Sequence, residues 1–79
     1  MNKTVIKELQ KLMALCMEIN EKTEHDISFE TDKTVGKQRF SVISFSKDFK
    51  IIEYAANLEK VTLPNINKCR QKLLKYKEW

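Results

Sequence analysis

The sequence predicts an α+β fold, a single small domain of order α-β-β-β-α in which two helices pack on one face of a three-stranded antiparallel sheet. Three observations carry this expectation. An apolar stripe at helical spacing opens the chain, apolar residues alternate on both sides of the only glycine, and a second helical stripe follows the only proline.

In the first segment Val5, Leu9, Leu12, Cys16 and Ile19 recur at intervals of four, three, four and three, which marks an amphipathic helix from about Asn2 to Lys22. Ile6, Met13 and Met17 widen the stripe on one side and Leu15 on the other, while Lys3, Lys7, Lys11, Glu18 and Glu21 take the opposite face. So broad a stripe implies two packing surfaces, a sheet on one side and a second helix or a second subunit on the other. Met13, Leu15 and Met17 are therefore the expected face of a homodimer, although methionines also serve to fill gaps in small cores.

Ile27, Phe29 and Thr31 alternate with Ser28, Glu30 and Asp32, giving a half-buried strand from Asp26 to Asp32. Lys33 to Lys37 then forms a hairpin loop around Gly36, which takes a positive φ without steric cost. A second strand follows from about Gln38 to Ser46. Its apolar parity switches between Val42 and Ile43, which a β-bulge or burial on both faces would each explain. Phe49 to Ala56 reads as a third strand, yet Ile51, Tyr54, Ala55, Leu58 and Val61 also fall on one face of a helix. The need of a hairpin for a third strand and the Ile51-Ile52 pair favour the strand. In the last element Thr62 caps, Pro64 sits in the first turn, and Ile66, Cys69, Leu73 and Tyr76 form one stripe.

With 79 residues the chain is expected to form one domain over 1–79, and 42% hydrophobic against 33% charged residues excludes a disordered tail. The longest apolar run, Leu12 to Met17, is too short for a secretory signal or a membrane span, so a cytoplasmic protein away from membranes is expected. Cys16 and Cys69 lie far apart among apolar residues and read as reduced, buried thiols that neighbour each other without bonding. Thirteen lysines against two arginines, with many Asn and Ile, indicate an A/T-rich genome and point toward a phage or mobile element as carrier.

Enzyme chemistry lacks a constellation. His25 is the only histidine and stands at a helix-to-strand connection, Ser28, Ser41, Ser44 and Ser46 are spaced as strand serines, and one glycine excludes a glycine-rich phosphate loop. Glu18, Glu21, Glu24 and Asp26 read as solvated helix surface, so no metal and no cofactor is expected. The charge distribution is more informative. Residues 62–79 carry the whole net charge of +4, and Lys68, Lys72 and Lys75 form a stripe opposite the apolar face with Trp79 in line. Cations near a helix C-terminus also favour the macrodipole, so part of the pattern is structural. The element order is similar to that of the double-stranded-RNA-binding domain, whose second helix opens on lysines and whose first hairpin contains Gly-Pro. Here those segments read Leu63-Pro64-Asn65-Ile66-Asn67 and Lys33-Thr34-Val35-Gly36-Lys37, so the similarity is one of element order alone.

The expectation is thus a non-enzymatic protein that binds, and in one form inhibits, a host or partner protein, as an antagonist of a host enzyme or defence system. The alternative is a nucleic-acid-binding regulator. Lys68, Lys72, Lys75, Tyr76 and Trp79 are the candidate binding residues in either case.

Overall fold

A computed structural model describes residues 2–77. Helix α1 (Lys3–Lys22) leads into strands β1 (Asp26–Thr34), β2 (Lys37–Phe45) and β3 (Ile51–Lys60), and helix α2 (Leu63–Leu73) ends in a 3-10 turn (Leu74–Lys77). The sheet is antiparallel with order β1-β2-β3, and both helices cover one of its faces, as the sequence predicts. Each helix runs antiparallel to the strand joined to it by a short connection, so α1 and α2 lie side by side in the same direction.

The helix starts follow local chemistry. Asn2 caps α1 by accepting the Val5 amide at 2.8 Å, and Thr62 caps α2 by accepting the Asn65 amide at 3.3 Å with Pro64 in the first turn. At the other end of α1, the Thr23 amide and hydroxyl both donate to the Ile19 carbonyl, at 2.9 and 2.8 Å. The last turn of α1 is then tied to the sheet. The Asn20 side chain accepts the Ile27 amide at 2.6 Å and donates to the Ile27 carbonyl at 2.8 Å.

The hairpin loop is tighter than the predicted five residues. Thr34 pairs with Lys37, leaving Val35 and Gly36 at φ 52° and 73°, a two-residue turn with both central residues in the left-handed region. Gly36 adopts this freely, but Val35 is β-branched and 91% exposed, so its conformation is strained without compensating burial. Val35→Asn is expected to stabilise the domain by about 0.5–1.5 kcal/mol, since Asn tolerates this region. Thermal unfolding of the two proteins side by side measures it, and an unchanged or lowered midpoint refutes it.

Strand β2 pairs with β1 in unbroken register from Asp26↔Phe45 to Thr34↔Lys37. The parity switch is therefore not a bulge in β2. Phe40 and Val42 point into the helix layer and are fully buried, while Ile43 and Phe45 point to the open face and are half-buried. The bulges are in β3, where register shifts fall at three places against β2. Ile51 opposes Phe45 and Tyr54 opposes Ile43, three residues of advance against two, so both project from the same face. That insertion makes a strand look helical in sequence, and it decides the ambiguity of residues 49–61 for the strand.

The core comprises Leu12, Cys16 and Ile19 from α1, Ile27, Phe40 and Val42 from the sheet, and Ile66, Cys69 and Leu73 from α2, with Val5, Ala55 and Ala56 at its margin. The Phe29 and Phe40 rings stack with centroids 6.5 Å apart. Both cysteines are free and buried, and burial pushes each thiol up to about 12.

Candidate interaction surface

The broad stripe of α1 is used on two flanks with different outcomes. Leu15 faces α2 and packs against the core, and on the same flank Glu8 accepts a hydrogen bond from Arg70 at 2.8 Å, joining positions 62 residues apart. Arg70 first, and Lys11 beside it, hold the Glu8 carboxyl below its ordinary range. Met13 and Met17 instead overhang β1, 42% and 64% exposed, with Ile6 beside them. Met13 edges a shallow groove with Leu9, Phe29 and Thr31. Met13, Leu15 and Met17 therefore do not form the single dimer face expected, because the second helix occupies the Leu15 side and separates it from the methionines.

The lysine stripe is also divided. Lys68 on α2 and Lys75 in the 3-10 turn are exposed. Lys72 leans to the sheet edge instead, half-buried, with Nζ 3.5 Å from the Tyr54 carbonyl of β3. Tyr76, expected both on the apolar stripe and among the binding residues, turns inward: it packs on the core, its hydroxyl donates to Glu53, and its ring meets His25 edge-on at 4.5 Å. Burial, and then the neighbouring Glu53 carboxylate, raise the Tyr76 phenol above its ordinary value, since both oppose a phenolate. Tyr76 continues the apolar stripe of Ile66, Cys69 and Leu73 into the 3-10 turn over Leu74–Lys77. Trp79 lies outside the described residues.

What the fold adds to the stripe is a second helix. Lys3 and Lys7, in the first turns of α1, are exposed as well. None of Lys3, Lys7, Lys68 and Lys75 has an ion-pair partner among the described residues, whereas Lys11 and Lys22 pair with Glu8 and Glu18. Over the described residues the helices and the 3-10 turn carry nine basic side chains against three acidic, and the sheet with its connections six against seven. The molecule is thus basic on its helix layer and close to neutral on its sheet.

The sheet's other face is uncovered. Ile43 and Phe45 are half-buried there, while Ile51, Ile52 and Tyr54 on β3 are 47%, 61% and 41% exposed. Toward the opposite end of the same face the cross-strand row is charged, with Asp32 paired to Arg39 and Arg39 to Lys60. Sequence reasoning missed this face as a surface. Its signal was the second apolar parity of β2.

No helix among the described residues is long and apolar enough to cross a membrane, and no cluster of three or more His, Cys, Asp or Glu among them could hold a metal ion. Comparison with protein-family models, curated proteins and solved structures finds no match for this chain.

Proposed function

We propose that the protein is a small non-enzymatic binding protein, carried by a phage or mobile element and acting in the cytoplasm, that blocks an acidic surface of a host or partner protein with its helix layer. The observation that carries this reading is the excess of nine basic over three acidic side chains on the helices and the 3-10 turn, with Lys3, Lys7, Lys68 and Lys75 exposed and without an ion-pair partner among the described residues. Ile6, Met13, Met17 and Leu74 on the same helix layer are exposed, and such a mixture of cations and adaptable apolar side chains suits a protein partner better than a phosphate backbone. Tyr76 is turned inward, so it offers no platform for stacked bases.

The test compares the wild type with a Lys3→Glu, Lys7→Glu, Lys68→Glu, Lys75→Glu variant whose fold is confirmed by circular dichroism. A nuclease-treated lysate supplies protein partners, and 20-base-pair RNA and DNA duplexes supply phosphate backbones. Capture of a protein that survives nuclease and is lost in the variant supports the reading, together with negligible duplex binding at physiological salt. Submicromolar duplex binding with a log–log salt slope of roughly −2 to −3, abolished in the variant, overturns it in favour of a nucleic-acid-binding regulator.

A further inference from the structure

We infer that the outer edge of β1 is a docking site for an extended segment of another protein, alternately aliphatic and basic, which adds antiparallel to β1 as a fourth strand. The site uses none of the lysines on which the partner-binding reading rests, so either can fail without the other.

The main chain defines the occupant as an extended one. In an antiparallel pair, alternate residues turn amide and carbonyl toward the partner strand and the others turn theirs away. Ile27 bonds outward to Asn20, and Thr34 closes the two-residue turn against Lys37, so the even-numbered residues of β1 face β2. Phe29, Thr31 and Lys33 therefore present their amides and carbonyls along the outer edge, and none of these groups has a partner among the described residues. Beyond the Asn20 clamp the run from Ser28 to Thr34 is about 23 Å long at roughly 3.3 Å per residue, which suits a segment of about seven residues. Donors and acceptors at this spacing are matched by another strand.

The two faces of β1 set the side chains of that strand. On the helix side, Phe29 and Thr31 line a groove of about 180 Å³ with Leu9, Gln10 and Met13. Met13 is 42% exposed, which leaves the groove wall free to adapt. Residues opposite Phe29 and Thr31 share this side and bring aliphatic side chains to the groove. On the other side β1 presents Glu30 and Asp32, both exposed and without an ion-pair partner among the described residues. Glu30 stands opposite Ser41, and the Asp32 carboxylate accepts from the Thr34 hydroxyl at 3.3 Å rather than from Arg39. The intervening residues of the added strand lie beside these carboxylates, where Lys or Arg is the favoured neighbour. The same carboxylates oppose a second copy of β1, so the edge discriminates by charge.

Fluorescence anisotropy with a labelled Lys-Val-Lys-Val-Lys-Val-Lys peptide at physiological salt tests the assignment. Binding with a Kd of about 10–100 μM is expected, although the protein itself carries a net charge of +4. N-methylation of the valines removes the amides that meet β1 and is expected to weaken binding about 10-fold or more. Serine in place of valine is expected to weaken it about 10-fold or more by emptying the groove. On the protein, Glu30→Lys and Thr31→Pro are each expected to do the same, the proline removing an outward amide where an edge strand tolerates it. Circular dichroism checks the folding of both variants, and the peptide controls decide the matter if either fails to fold. No binding up to about 1 mM overturns the inference, as does equal binding of the N-methylated or the serine peptide, or an unchanged affinity in Glu30→Lys.

Discussion

Phe40→Ala is expected to lower the free energy of unfolding by about 3–5 kcal/mol, the range for removing a buried aromatic ring. Phe40 is fully buried on the central strand, stacks on Phe29 from β1, and lies under the helix layer, so no single neighbour can move to fill the space. Small domains hold about 5 kcal/mol or little more in total. The variant should therefore be largely unfolded at physiological temperature, with chemical denaturation followed by circular dichroism as the measurement. A loss under about 1 kcal/mol would mean that the helices collapse onto the gap, and the tight packing described above would be refuted.

Asn20→Ala is expected to cost about 1–3 kcal/mol, because it strands two main-chain groups at once. The Ile27 amide and carbonyl lie on the outer side of β1, where no further strand pairs with them, and the Asn20 amide group supplies both partners as a neighbouring strand would. Asn20→Asp should fall between the two proteins, since a carboxylate accepts the Ile27 amide but donates nothing to its carbonyl. Hydrogen exchange at Ile27 should quicken more than elsewhere in β1. Uniform quickening along the strand would show that the clamp has no local role.

Local chemistry made much of the fold readable. The helix stripes, the Thr62 cap and the alternation of β1 depend on neighbours within a few residues, and α1, β1 and the start of α2 fall within about two residues of where periodicity places them, whereas the last helix, read to the C-terminus, ends at Leu73 in a 3-10 turn. Strand β3 was ambiguous for a physical reason: each inserted residue shifts the period from two toward three, and Ile51, Tyr54 and Leu58 then copy a helix. The interaction surfaces were less legible, because they are made by tertiary placement. Lys68 and Lys75 could be read from one stripe, whereas the exposed lysines of α1 join the same layer only because both helices pack on one face of the sheet. Lys72 lies in α2 itself and reaches the Tyr54 carbonyl of β3, a backbone partner the stripe does not reveal, while Tyr76 follows the apolar stripe of Ile66, Cys69 and Leu73 inward and meets Glu53. Asn20 gave no signal at all, since its partners are backbone groups seven residues away.

The three bulges of β3 have a further effect on how this chain behaves in crowded solution. An edge strand with evenly spaced donors and acceptors is a template on which another extended chain can grow, and growth of that kind ends in fibres. Between Ile51 and Lys60 the spacing is broken three times, Leu58 is turned to φ 52°, and Lys72 reaches the Tyr54 carbonyl from the side. On the opposite edge Asn20 already occupies the first free pair of groups, and Glu30 and Asp32 repel a second copy of β1. An incoming strand finds no straight run of main chain along β3 and, along β1, a run that is occupied at Ile27 and acidic beyond it, so growth from either edge is hindered.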